Sequence, residues 1–477
     1  MRRSFRILLF CFFLFYLPSA AGAAPPSPSL PAPDRLKYPP LTWQIPEPSR
    51  WVMDNGIVLY HLPNIELPLV SVSLVIRTGS IFDPAGKEGL ADLTATVMRT
   101  GGTASLSGDL MDDRIESLAA VVRVSADRES SNASLSVLRK DLAEGLDLFS
   151  RILMAPSFEE KKLALAKNLK LEELRRLRDD PQKLAFREFQ RMFFRGDPRG
   201  SYPSRSSVQS ITRDDLIRFH ERHFHPANVM IAMTGDLSAS EARELATRYF
   251  GAWRSTAASA QIPPPEKELS GGMFFLLKDT PQSVIVSGRF SPSKRESRFY
   301  PFELLDFIAG SGGFRSRIFQ QIRTDEGLAY STGSFYRARP DYGLFGTYVL
   351  TKAESTVRAL AVLNSILGDL STQSVRVEEL SSAKKAIDNS FIFSFASAER
   401  IVSQYVSVEY DGLPGDYLKG YRKRIEAVTE KDLLDAAARY LGTASPSVTL
   451  ILGNASVLEE LRKIHPSLEV LAPLPEE

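Results

Sequence analysis

The sequence predicts an α+β protein of two homologous tandem domains, each an antiparallel-rich sheet backed by helices. Two passages with the same helix-strand-helix grammar carry the tandem part of this reading. Thr212 to Asp215 forms a capping box that opens a helix, the strand Val229–Gly235 follows, and Ser238 to Glu241 caps the next helix. In the second half Thr429 to Asp432 caps a helix, Val448–Gly453 is the strand, and Ser456 to Glu459 caps the last helix. From cap to strand-ending glycine the spacing is 23 residues in one half and 24 in the other, and from glycine to the next cap 3 in both. Repetition at that fidelity points to a duplicated unit. The α+β part follows from alternating strands and long helical segments that succeed one another without a regular βαβ rhythm.

The elements follow in order. Arg2, Arg3 and Arg6 precede the uncharged apolar run 7–17, and small residues follow around Ala23, so residues 1–23 read as a secretory signal peptide. The run is shorter than the roughly 20 apolar residues a membrane span needs; an uncleaved anchor is the alternative. Residues 24–48 are dense in proline and serine and form an extended linker. The N-terminal domain covers 49–255, with alternating strands near 71–77 and 133–138 and helices over 140–154 and 158–178. Pro263, Pro264 and Pro265 within 256–266 break all periodicity and mark the boundary. The C-terminal domain covers 267–464, with a strand pair at 329–337 and 342–350 and helices near 354–368 and 377–393; a tail, 465–477, remains.

Composition excludes several classes. Of 477 residues, 43% are hydrophobic and 24% charged, the balance of an ordinary globular protein. With 59 basic against 57 acidic residues the net charge is +2, so no nucleic-acid partner is implied. Basic and acidic residues alternate from Lys161 to Arg178, the pattern of a solvated helix face. The single cysteine, Cys11, lies within the signal, so the mature chain has no thiol chemistry. An exported chain without cysteine fits a bacterial periplasm, or secretion.

Few residue patterns carry chemistry. Gly310, Gly312 and Gly313 open a turn into an amphipathic helix that ends at Gly327 before a strand. The turn lacks the Lys-Ser/Thr ending of a P-loop and reads as a plain connection. His220, His223 and His225 cluster at a helix end, where the helix dipole favours them and a metal site is the lesser reading. His61 and His465 are isolated, and no Gly-x-Ser-x-Gly elbow occurs.

The frame of residues 89–98, with Asp92, Ala95 and Thr96, resembles the helix on which inverzincin zinc peptidases carry His-x-x-Glu-His. The run from Gly310 to Ser331 resembles the signature of the second half of the M16 peptidases, the pitrilysin and mitochondrial processing peptidase family. Asn55-Gly56, Gly79-Ser80 and Phe224-His225-Pro226 extend that resemblance over most of the mature chain. It implies two homologous domains per chain and two chains closing like a clam shell. It assigns Asp92 and Thr96 to the histidine positions, Ala95 to the glutamate and Glu173 to the third zinc ligand. Alanine cannot move a proton and a neutral threonine is a poor zinc ligand, so the motif is degenerate and no catalytic or metal-binding residue is expected here. Arg323 and Tyr330, seven residues apart, match the family's pair that grips substrate.

The resemblance therefore implies a non-catalytic, substrate-binding subunit of an exported heterodimeric zinc metallopeptidase. It would position peptides for a catalytic partner that holds the zinc, with no cofactor of its own and no stable membrane anchor after signal cleavage. The alternative is a stand-alone peptide-binding or assembly protein without proteolytic activity.

Overall fold

The two halves build the same sheet. In the first, β1 (Ser49–Val52), β2 (Val58–Pro63), β3 (Leu69–Ile76), β4 (Val121–Ala126), β5 (Ser131–Leu138) and β6 (Val229–Gly235) lie in the order β1-β2-β6-β3-β5-β4. In the second, β7 (Gly272–Leu277), β8 (Gln282–Ser291), β9 (Ala329–Ala338), β10 (Gly343–Lys352), β11 (Val448–Gly453) and β12 (Glu469–Val470) lie in the order β12-β7-β11-β8-β10-β9. In both, the second and third strands of the row are parallel and the next three pairings are antiparallel. Only the outermost strand differs: β1 runs antiparallel to β2, whereas β12 runs parallel to β7. This computed structural model describes residues 43–266, 269–442 and 445–472, and the described residues from 45 onward form one compact unit. The signal segment with Cys11, the linker up to residue 42 and the last five residues lie outside the described residues.

The helices of the first half are α1 (Leu90–Thr100), α2 (Gly108–Ser117), α3 (Leu142–Met154), α4 (Glu160–Leu177), α5 (Pro181–Phe193), α6 (Arg205–Ser210), α7 (Arg213–His223) and α8 (Ala239–Phe250). Those of the second are α9 (Phe299–Asp306), α10 (Thr356–Thr372), α11 (Val377–Phe393), α12 (Ala398–Tyr410), α13 (Tyr417–Glu426), α14 (Glu430–Leu441) and α15 (Ala455–Ile464). Capping is local, so it was readable: Thr212, Ser238 and Thr429 each accept from the third backbone N–H of their helix. The last helix departs from expectation. Asn454, not Ser456, caps α15 by accepting from Val457 N–H, while Ser456 donates to the Asn454 side chain at 2.7 Å. The glycine-to-cap spacing is therefore not repeated. The helix expected after Gly313 is also irregular, a 3-10 turn at Gly313–Arg315 followed by a π-type segment at Phe319–Asp325.

Each sheet is covered on one face by helices of its own half and on the other by a helix from the opposite half. The alternating side chains of β3 and β5 put Val70, Val72, Leu74, Leu135 and Val137 into a core with Phe149, Ile152 and Phe250. On the far face of that sheet, Val402 and Val406 of α12 pack on Tyr60 and Ala232. Reciprocally, Leu184, Phe189 and Phe193 of α5 pack on Phe274, Val284, Val286 and Leu450 of the second sheet. Gly288 on β8 makes room for this helix, since a Cβ there would sit 2.6 Å from the Phe189 ring. A polar seam joins the halves beside these contacts. Arg199 donates to Glu129 at 2.7 Å, Tyr342 donates to the same carboxylate at 3.2 Å, and Tyr410 donates to the Glu129 carbonyl at 2.7 Å. The segment 256–266 has no helix or strand and is tied down by Ala260 N–H, which donates to Asn228 at 2.7 Å.

Candidate functional site

The positions expected to be an emptied metal site come together at the start of α1. Gly89 takes a positive φ of 102° at the helix entrance, a conformation that suits glycine. That turn aims the N–H groups of Gly89 and Ala91 at the Asp83 carboxylate, each at 2.8 Å. Asp83 thus caps α1 from outside the helix. Burial nevertheless pushes its carboxyl up to about 7, against those two hydrogen bonds.

Asp92 projects from the first turn of α1 and Glu173 from α4, and between them lies the ammonium of Lys170. Its Nζ is 2.6 Å from Asp92 and 2.6 Å from Glu173. Burial alone would lower the Lys170 amine, but the two carboxylates outweigh it and the net displacement is upward, so the cation is permanent at neutral pH. Ala95 is fully buried and offers no polar atom, and Thr96 is half-buried one residue on. These residues do not fit zinc. Two carboxylates remain of the expected donors, and an amino-acid cation already satisfies both. Sequence reasoning missed Lys170, because the helix was read as uniformly solvated. The available signal was electrostatic: two carboxylates converging on a site without its metal need a positive charge from somewhere.

The bridge lines a cleft of about 1080 Å³ between the halves. Acidic and basic side chains line it together, among them Asp83, Glu88, Asp92, Asp127 and Glu173 with Arg128 and Arg187, and the second half contributes Arg337 and Arg339. The edge strand β4 ends at its rim, where Ala126, Asp127 and Arg128 border the space.

Arg323 and Tyr330 lie together, with the guanidinium 4.8 Å from the centre of the Tyr330 ring and 4.7 Å from that of Phe319. They do not line the cleft. Tyr330 is 83% exposed and the neighbouring Phe314 72%, so the pair stands on an outward aromatic patch. The histidines are structural. His220 is 2.7 Å from the Leu153 carbonyl, His223 packs on Phe82 and Phe219, and Asn228 donates to His225 at 3.1 Å. Burial lowers all three imidazoles, His223 to about 4. Among the described residues no group of three or more His, Cys, Asp or Glu is arranged to hold a metal ion.

Comparison with known proteins agrees with this geometry. Residues 63–202 match the family model for insulinase, peptidase family M16, and residues 210–387 match that for the peptidase M16 inactive domain. An uncharacterized zinc protease of Rickettsia bellii is 25% identical over 340 residues, 70% of this chain and 81% of the relative. A non-peptidase homolog from Helicobacter pylori is 24% identical over 383 residues, 79% of this chain and 87% of the relative. The crystal structure of a peptidase M16 inactive domain from Pseudomonas fluorescens superposes with a TM-score of 0.78 at 25% identity, covering 86% of this chain and 98% of that one. A protease structure from Helicobacter pylori, 19% identical, shares the fold with a TM-score of 0.75 over 86% of this chain and all of that one. With one M16 model over most of the first half and the inactive-domain model over much of the second, the chain belongs to the peptidase M16 family as an inactive-type member.

Proposed function

We propose that this chain is the non-catalytic, substrate-binding subunit of an exported, heterodimeric M16-type zinc metallopeptidase. The observation that supports the reading is the Lys170 bridge, a fixed cation held between Asp92 and Glu173 at the positions that the resemblance assigns to zinc ligands, beside an open cleft. Zinc and the proton-transferring glutamate then belong to a partner chain. This subunit contributes position: holding a reactant in place can supply much of a catalytic advantage with no reacting group. Two features suit that task. The edge strand β4 reaches the cleft rim with its outer side unpaired by any strand among the described residues, so an extended peptide can add to the sheet through main-chain hydrogen bonds. The exposed Tyr330 and the half-buried Arg323 beside it, both away from this chain's own cleft, are available to reach into a partner's.

The test is reconstitution. An active M16 chain should copurify with this protein from its native source, and the Arg323→Ala/Tyr330→Ala variant should weaken cleavage by the pair. Unchanged kinetics in a folded variant would remove the Arg323/Tyr330 assignment. Absence of any M16 partner would favour a stand-alone peptide-binding protein.

A further inference from the structure

Away from the cleft, the second half buries two carboxylic acids one helical turn apart. Glu303 and Asp306 share a face of α9, three residues from each other. Asp306 is buried, and Glu303 turns its Oε2 inward without a hydrogen-bond partner. Only hydroxyls answer them: Tyr421 of α13 toward Glu303, and Ser311 and Ser334 toward Asp306, with Ser334 Oγ donating at 2.5 Å. Among the described residues the one cation whose charge reaches Glu303 is Lys294, and it is committed to Asp411 at 2.6 Å. Arg424 of α13 pairs with Asp416 at 2.7 Å, and Arg422 with Asp388 of α11 at 2.7 Å, while α11 turns Ala383 and Ile387 to this core. The remaining titratable neighbours are tyrosines: Tyr300 on α9, Tyr336 on β9 and Tyr417 on α13. Tyr440 of α14 donates to Glu296 at 2.7 Å. Burial therefore pushes both carboxyls up, Glu303 to about 7 and Asp306 to about 6, and the charge of Asp306 raises Glu303 further.

The pair sits where α9 gives way to irregular backbone. The π-type segment Phe307–Ser311 follows Asp306 directly, and Gly312 and Gly313 lead on to Phe314, whose ring centre lies 4.6 Å from that of Phe319 beside Arg323. Ser334 belongs to β9, the strand that carries Tyr330. Gly310 closes on the same residue, since a Cβ there would lie 2.4 Å from the Ser334 nitrogen. A π-type turn with three glycines resists opening poorly, and the Ser334–Asp306 bond ties it to the strand. We infer that Glu303 and Asp306 form a pH-sensitive latch, which holds 307–314 on β9 while uncharged and releases it when both acids ionise with no cation beside them. Both carboxyls are raised on folding, so this support is complete below their ordinary range and is lost as pH rises through about 6 to 7. The consequence for substrate grip rests on the Arg323/Tyr330 reading above; the latch does not.

Amide hydrogen exchange on the full chain tests the latch, read at residues 307–316 and corrected for the chemical exchange rate. The opening constant of this segment should rise about tenfold between about pH 5 and about pH 8, the factor that one unit of raised pKa supplies. At the higher pH it should stand well above that of the β8 amides, which report unfolding of the whole half. Glu303→Gln/Asp306→Asn should abolish the rise, and Glu303→Gln alone, which leaves the Ser334 bond in place, should remove most of it. Ser334→Ala, which takes away the bond and neither acid, should open the segment at both pH values. The inference is overturned by a wild-type segment that opens equally at the two pH values, or only together with β8. It is equally overturned by a rise that survives in the glutamine variant, or by a Ser334→Ala segment that stays closed at the lower pH. No partner or peptide enters the measurement, so its failure leaves the substrate-binding reading standing, and failure of that reading leaves the latch.

Discussion

The ammonium of Lys170 stands 2.6 Å from the carboxylate of Asp92, joining α4 to α1 across the positions that the family resemblance assigns to the metal. With Glu173 at the same distance, the lysine acts as an internal counter-ion for two carboxylates. Removing it leaves both without their cation, in a partly screened setting. Lys170→Met is therefore expected to destabilise the chain by about 1–2 kcal/mol, below the cost of breaking a fully buried pair. Urea denaturation gives the value; adding Asp92→Asn and Glu173→Gln should recover most of it.

The same bridge predicts how the site would respond to its missing ligands. Asp92→His/Ala95→Glu/Thr96→His with Lys170 retained should bind zinc weakly, because the ammonium competes for Glu173. Adding Lys170→Gln should raise the zinc affinity substantially, as measured by chelator competition. Equal affinity with and without Lys170 would show that the lysine is a bystander.

Glu303 supplies a pH signature remote from the cleft. Burial raises its carboxyl from 4.5 to about 7, and its Oε2 is buried without a hydrogen-bond partner. A carboxyl raised on folding favours the native state while protonated, so this stability is present below the unfolded value and lost as pH rises through 7. Glu303→Gln should match the wild type near pH 5 and exceed it by about 1–3 kcal/mol near pH 8. Denaturant midpoints at the two pH values provide the check.

The exchanged helices predict that the halves depend on each other. Phe189 is fully buried on the opposite half's sheet, and truncation to alanine at such a site costs about 3–5 kcal/mol. Phe189→Ala should lower the stability of both halves together in one calorimetric transition. Two resolved transitions, with only one shifted, would contradict the interlock.

Local signals made much of the fold legible. Val229–Gly235, Val448–Gly453 and Val377–Phe393 form as read, because periodicity and capping act over a few residues. The cap of α15 was misplaced by two residues because Asn454 and Ser456 are both good caps, and only the backbone path chooses between them. The exchange of α5 and α12 was not legible, since an apolar helix face does not name the sheet it covers. Asp92, Glu173, Arg323 and Tyr330 are singled out by the family resemblance, not by any local pattern. Lys170 is not, because among alternating helix charges nothing local marks the one that turns inward.

Arg323 and Tyr330 should behave as surface residues in the isolated chain. Their double alanine variant is expected to change stability by no more than about 0.5 kcal/mol each, since the Tyr330 ring is largely in solvent. A large loss of stability would assign the pair to the fold instead of to a ligand.

Zinc content and peptide cleavage, measured on the purified chain alone and on its complex with an active M16 chain, test the central claim most directly. The expected result is no stoichiometric zinc and no cleavage for the chain alone, and in the complex cleavage that falls in the Arg323→Ala/Tyr330→Ala variant. Stoichiometric zinc together with peptide cleavage by the chain alone would contradict it.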